Sequence, residues 1–222
     1  MSKYKDGTDW DGFHGDQNLI SFVDYLAPMT DAFIETGSNE GVTLSYFSKK
    51  YNKPSFSCEP RLKSFERARS KIEKLNHVRL FNKKSLDMLK RIEGNFSYLY
   101  EKNCLFWIDS HGFGFDWPLL DEIKIITSSF SKGFLLIDDF KVPDKPCFGF
   151  DSYHKQTCSF DYIKDSIKKP FSLFYPSYTN KTSKHHPLRG WGLLSFGENS
   201  GLEINHKFCE KHIETSTKTT TI

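Results

Sequence analysis

Long apolar runs are missing from this sequence. Nowhere in its 222 residues do some eighteen apolar residues follow one another, so a transmembrane helix is excluded and no membrane partner is expected. The opening stretch MSKYKDGTDWDGFHGD has no apolar core, and no secretory signal is expected from it. Cysteine is scarce and unpatterned. The five residues, at positions 58, 104, 147, 158 and 209, form an odd set without C-x-x-C or zinc-ligand spacing. Cys58 and Cys104 fall inside expected strands, so they read as reduced, buried thiols in a cytoplasmic protein. In that setting the N-x-S/T triplets at Asn95 and Asn180 carry no weight. A concentration of one charge sign is also missing, because the net charge of +3 is spread thinly over many lysines. A nucleic-acid binder gathers basic charge in a patch or stripe, and no nucleic-acid partner is expected. The nearest basic cluster, KTSKHHPLR (181–189), reads as a solvated loop that could also meet an anionic substrate. There is no internal repeat.

What the chain does contain is a regular alternation. With 37% hydrophobic and 27% charged residues it is a soluble, globular sequence of one-domain size. Strands are expected at AFIET (32–36), PSFSCEP (54–60), VRLFNKKS (78–85), the start of LFWIDSHGFGFDWPLL (105–120) and GFLLIDDF (133–140). Helices are expected at 17–26, at 41–51, over 61–76, after residue 85, over 117–130 and around 159–169. The segment 61–76 carries the clearest periodicity, with Leu62, Phe65, Ala68, Ile72 and Leu75 at steps of three and four. Such alternation implies a parallel sheet covered on both faces. FSLFYPSY (171–178) and RGWGLLSFG (189–197) read as a closing antiparallel pair. The expectation is a single α/β domain over 1–212, followed by a polar, flexible tail at 213–222.

In an open parallel sheet, ligands bind beyond the carboxyl ends of the strands. The residues at those ends are Glu35 with Gly37, Glu59, Ser85, Asp109 with His111, and Asp138 with Asp139. Glycine apart, all are polar, although most follow apolar residues.

FIETGSNEG (33–41) reads as a strand, a glycine loop and a helix start. Its spacing is neither a P-loop nor the G-x-G-x-x-G of a dinucleotide site. Gly37 lets the backbone approach a ligand, Gly41 opens the helix, and Asn39 is a residue type that tolerates left-handed geometry. Loop amides and the helix N-terminus favour an acceptor-rich group. Glu59 ends the second strand, placed to accept from both ribose hydroxyls. The plainer alternative is a loop that only connects strand to helix, with Glu59 an exposed acid.

E-x-G-x-(G/N)-x-G followed by an acid closing the next strand resembles the class I S-adenosylmethionine-dependent methyltransferases. The resemblance covers about residues 33–140 and implies a Rossmann-like, doubly wound, mostly parallel seven-stranded sheet ending in an antiparallel hairpin. It implies S-adenosyl-L-methionine as cofactor, with Glu35, Gly37, Ser38 and Gly41 lining the loop and Glu59 holding the ribose. Ser85 matches a serine that catechol-type O-methyltransferases place near the adenine. Asn39 stands where the family usually has glycine.

If the strand order follows this family, strands four and five are neighbours, and Asp109, Asp138 and Asp139 share one rim. Three carboxylates so close raise one another's pKa unless a cation compensates, and an all-oxygen set favours Mg²⁺, Mn²⁺ or Ca²⁺. I-D-S-H followed by L-I-D-D-F also resembles the metal-dependent O-methyltransferases, catechol-type and sugar-modifying. By that match Asp109, Asp138 and Asp139 are the metal ligands. A metal-free site with Asp109 or Asp138 as base is the alternative, as are aspartates that merely cap loops. His111 could take the proton, since the unperturbed pKa of an imidazole, near 6.5, suits a general base. It could equally be a ligand or a structural partner, since the family's lysine falls one position on, at Gly112. GFGFDW (112–117) reads as core or lid packing, or as a substrate wall.

The expected function is O-methylation of a hydroxyl on a sugar, glycan or other small molecule, assisted by a divalent metal. Two alternatives come from other classes. One is a binding module that keeps the cofactor fold without turnover. The other is a metal-dependent phosphoesterase, suggested by D-S-H-G but lacking that family's later motifs. The acceptor and the oligomeric state have no signature in the sequence.

Overall fold

The apolar runs form the expected parallel strands: β1 (Ala32–Thr36), β2 (Ser55–Cys58), β3 (Val78–Phe81), β4 (Cys104–Ile108) and β5 (Lys132–Asp138). The computed structural model describes residues 12–110 and 117–212. β1, β2 and β4 are buried at every position, the pattern of strands covered by helices on both faces. The helices are α1 (Gln17–Leu26), α2 (Val42–Tyr51), α3 (Leu62–Ile72), α4 (Ser85–Asn95) and α5 (Leu119–Ser129). None of the helices among the described residues is long and apolar enough to cross a membrane.

After β5 come a separate small hairpin, β6 (Ser152–Tyr153) with β7 (Gln156–Thr157), then α6 (Phe160–Ile163). The main sheet is completed by β8 (Phe171–Pro176), β9 (Trp191–Gly197) and β10 (Cys209–Lys211). Its order is β10-β8-β9-β5-β4-β1-β2-β3. β9 inserts antiparallel between β5 and β8, as the closing pair of runs predicts. The sheet has eight strands where the resemblance implies seven. The additional one, β10, is a three-residue edge strand on β8, too short and too polar to leave an alternating pattern. The helix expected around 159–169 is also shorter, because the chain tightens into a 3-10 turn at Lys164–Ser166 before Pro170, which disfavours helix in the residue ahead of it.

Aromatic residues dominate the core. Phe33 of β1 stacks on Phe47 of α2 with centroids 4.2 Å apart, and Phe106 of β4 meets Phe130 edge-on at 4.8 Å. Each such side chain contributes about 1.5–3 kcal/mol on burial. α3 departs from its pattern: Ala68 and Ile72 are buried, whereas Leu62 is 60% exposed.

α1 begins at Asp16, whose carboxylate accepts from the N–H groups of Asn18 (2.9 Å) and Leu19 (3.4 Å). The same carboxylate accepts from Tyr178 Oη (2.6 Å) and Thr182 Oγ1 (2.7 Å). A helix cap worth about 1 kcal/mol thus also ties the N-terminal segment to the chain that follows β8.

Candidate functional site

Order in the sheet reverses beside β1, whose neighbours are β2 on one side and β4 on the other. The glycine loop leaves from this point. Gly37 has φ +85°, and a Cβ there would lie 2.7 Å from the carbonyl oxygen of Asp109. Gly41 has φ +73°, and its Cβ would lie 2.7 Å from Cβ of Ala68 in α3. Both glycines are therefore demanded by packing inside the protein. Asn39 adopts φ +47°, so asparagine meets the left-handed geometry where the family has glycine. Its Oδ1 accepts from Arg61 Nη2 at 3.1 Å.

Around this loop the acids are held from within. Glu35 is buried, and its Oε2 accepts from Ser57 Oγ at 2.6 Å. Burial pushes its carboxyl up to about 8 against the Ser57 hydrogen bond, with Asp109 and Glu59 adding to the rise. Glu35 is therefore mostly protonated at pH 7 and forms part of the floor under the loop. Ser38 donates its N–H to the Cys58 carbonyl at 2.8 Å, joining the loop to the end of β2. Glu59 is buried, and its Oε1 accepts from the backbone N–H (2.9 Å) and Nε (3.0 Å) of Arg61. Ser85 is buried at the first position of α4.

On the other side of β1, β4 and β5 pair with Ile108 opposite Ile137. That register brings Asp109, one residue past β4, level with Asp138 at the end of β5. Asp109 is fixed by its N–H, which donates to the Thr36 carbonyl at 3.0 Å. Asp138 is 2% exposed. His14 approaches from the 3-10 turn Phe13–Gly15, with Nε2 2.6 Å from Asp138 Oδ2. Ligand-capable atoms of His14, Asp109 and Asp138 all lie within 4.8 Å of one another. Burial alone would lower the His14 pKa. The charge and hydrogen bond of Asp138, aided by Asp109 and Asp139, outweigh this and hold it at about 9. The carboxylates thus favour the imidazolium form of His14.

No family model matches the chain, and no curated protein does. Solved structures do match it. An O-methyltransferase from Bacillus cereus in complex with SAH aligns with TM-score 0.58 and 14% identity, over 79% of each chain. The O-methyltransferase TomG from Streptomyces achromogenes, involved in tomaymycin synthesis and in complex with SAM, aligns with TM-score 0.56 and 10% identity, over 82% of this chain and 79% of that one. An rRNA methylase from Streptococcus thermophilus aligns with TM-score 0.52 and 13% identity, over 82% and 97%. The chain has the class I S-adenosylmethionine-dependent methyltransferase fold. At these identities the likeness carries the methyltransferase fold and not the acceptor.

Within the methyltransferase fold the two sets of expected site residues fare differently. Glu35, Gly37, Ser38, Gly41 and Glu59 gather around the end of β1, and Ser85 lies beyond β3. Of the three expected metal ligands, Asp109 and Asp138 come together and Asp139 does not join them. Asp139 has φ +51°, and its Oδ1 accepts from Arg189 Nε, while Arg189 Nη2 donates to Asp151. Asp139 lies one residue past β5 in that left-handed turn, and its pairing with Arg189 holds its carboxylate apart from the Asp109–Asp138 pair. His111, Phe113 and Phe115 lie outside the described residues. Trp117 packs on Tyr162, rings stacked at 5.2 Å.

Two residues near the rim have no place in the sequence reading. Glu122 is buried in the first turn of α5 and accepts from Ser110 Oγ. A carboxylate on the apolar face of WPLLDEIKIITSSF was its only signal. His14 sits in F-H-G-D, where Phe13 and His14 both take left-handed φ, +55° and +58°. That backbone is held by its surroundings: Phe13 packs edge-on to Trp107 at 5.1 Å, its N–H donates to Thr43 Oγ1 (3.1 Å), and the His14 carbonyl accepts from Ser183 Oγ (2.7 Å). The His14 ring stacks on His186, with centroids 4.2 Å apart.

Proposed function

We propose that the protein is an S-adenosylmethionine-dependent methyltransferase that methylates a hydroxyl oxygen of a sugar, glycan or other small molecule, assisted by a divalent metal at Asp109 and Asp138. The observation that carries this reading is the placement of the two aspartates. Asp109 touches the glycine loop through its own backbone, and Asp138 stands opposite it on the neighbouring strand. The residues present suit both groups. α2 begins at Gly41 without a side-chain cap, so its first N–H groups are available to acceptor atoms of a ligand. Arg61 engages Glu59 through Oε1, and Oε2 remains for the ribose. Two carboxylates on a largely buried rim are offset well by a divalent cation. The thinly spread charge of +3 supports a small acceptor rather than a nucleic acid.

When bound, S-adenosylmethionine supplies an electrophilic methyl group and the metal supplies Lewis acidity that lowers the pKa of a hydroxyl. The part played by the chain is positioning, which accounts for much of the acceleration in a simple displacement. Glu59 accepts from ribose hydroxyls, the 37–41 loop backs the cofactor, and Asp109 with Asp138 fixes the acceptor edge. His111 takes the hydroxyl proton, its ordinary pKa of about 6.5 suiting the role.

Calorimetric titration with S-adenosylhomocysteine, with and without Mg²⁺ or Mn²⁺, tests the reading when paired with a turnover assay across sugars, glycans and phenols. Cofactor binding with metal-stimulated turnover is the expected outcome. Failure to bind S-adenosylhomocysteine overturns it, and binding without turnover on any acceptor favours a binding module.

A further inference from the structure

We infer that His14, and not Asp139, completes the metal site, and that the resulting nitrogen-containing set selects Co²⁺ over Mg²⁺ and Ca²⁺. The inference rests on the proposed function for the presence of an ion, and on this chain's own geometry for the ligands.

His14, Asp109 and Asp138 come from three separate segments, yet their ligand atoms fall within 4.8 Å of one another. Two ligands about 2.1 Å from one ion and at right angles are about 3 Å apart. His14 Nε2 and Asp138 Oδ2, at 2.6 Å, would separate by only a few tenths of an ångström to admit one. Asp139 is much worse placed. Its carboxylate is paired with Arg189, which Asp151 also holds, and its backbone turn is left-handed. Recruiting it would break an ion pair and reverse that turn.

The backbone that delivers His14 is costly, because Phe13 and His14 are two successive non-glycine residues in left-handed geometry. It persists because the burial of Phe13, the Thr43 and Ser183 hydrogen bonds and the Asp16 cap all fix it. The strain sets an imidazole against two carboxylates at the strand ends of a methyltransferase fold. Mg²⁺ and Ca²⁺ prefer all-oxygen sets, whereas imidazole raises affinity for the later divalent transition metals.

The test uses the full-length protein without an acceptor. Mn²⁺, Co²⁺ and Mg²⁺ are titrated calorimetrically, the visible absorption of bound Co²⁺ is recorded, and S-adenosylhomocysteine is titrated into the same samples. The wild type is expected to bind Co²⁺ at least about tenfold more tightly than Mg²⁺, with Mn²⁺ between them. His14→Gln should lower Co²⁺ affinity by about tenfold or more, by analogy with the loss of weaker outer partners, and change the Co²⁺ spectrum. Asp139→Asn should leave both unchanged. His14→Asp should bind metal again with the preference turned toward Mg²⁺, which separates loss of a ligand from loss of folding. An unchanged Co²⁺ affinity and spectrum in His14→Gln overturns the inference, as does an equal loss in Asp139→Asn. A wild type that binds S-adenosylhomocysteine but no divalent ion leaves the His14–Asp138 contact a simple ion pair, and also overturns it. A wild type that fails to bind S-adenosylhomocysteine overturns the proposed function instead.

Discussion

Glu59 and Asp138 both close a strand on the same rim of the sheet, yet they are held in different ways. Glu59 is gripped by Arg61, two residues further along the chain. Asp138 is gripped by His14, 124 positions away. The half of the rim that the proposed function gives to the cofactor is made mainly of neighbours: a strand, a tight loop, and an acid fixed by the turn that follows it. The chemical half is assembled from a 3-10 turn near residue 14, two strand ends, and the loop around Ser183 and Arg189. The Glu59 half-site rests mainly on contacts short in sequence, although its loop also packs on Asp109 and Ala68. A half-site built at long range exists only once the whole domain has closed.

That contrast is tested most severely by Asp138→Ala. Turnover should fall by at least about a hundredfold, with S-adenosylhomocysteine affinity retained. A parallel loss of cofactor affinity would show that the halves are not separable. Next in size is a pH effect in the cofactor half. Glu35 has a folded pKa of about 8 against an ordinary 4.5, so between those values the folded state holds a proton that the unfolded state releases. Stability from this group is therefore full below about 4.5, falls as pH rises, and levels off above about 8. Glu35→Gln should flatten that decline in urea unfolding measured across the range, and an unchanged slope would refute the assignment. Gly37→Ala combines a left-handed φ with a backbone clash and should destabilise the fold by about 2–4 kcal/mol, again by urea unfolding. Glu59→Ala should weaken S-adenosylhomocysteine about tenfold to a hundredfold, the size of a lost charge-assisted hydrogen bond, while leaving Mn²⁺ affinity intact. The smallest effect is expected for Tyr178→Phe. Its hydroxyl donates to Asp16 and accepts from Trp191 Nε1 at 3.0 Å, so about 1–2 kcal/mol of stability should be lost. Calorimetry should show Mn²⁺ affinity falling with it, because Asp16 anchors the turn that carries His14.

The same difference governs what can be read from the sequence. β1 to β5 are legible because each is a short apolar run bounded by turn residues, and the cofactor loop because its residues lie at fixed spacing from Glu59. Asp109 and Asp138 are legible as strand ends once neighbouring strands are assumed. Asp139 is harder to read, since a D-D pair looks like two ligands although the second residue lies past β5 in a left-handed turn and pairs with Arg189. His14 is silent. F-H-G-D has no periodicity, and its left-handed Phe13 and His14 depend on Thr43, Trp107 and Ser183. The sheet's eighth strand is silent for a related reason, since CEK carries almost no pattern of its own.

The contact between Gly37 and the carbonyl of Asp109 makes the separation between the two halves a main-chain distance. Under the proposed function, that main-chain distance would set how far an acceptor oxygen stands from the methyl donor, whatever side chains line the acceptor wall. The fold is shared with proteins as different as an rRNA methylase and an enzyme of tomaymycin synthesis, and under the proposed function such a fixed ruler would let the wall around the acceptor change while the reach of the reaction stays the same.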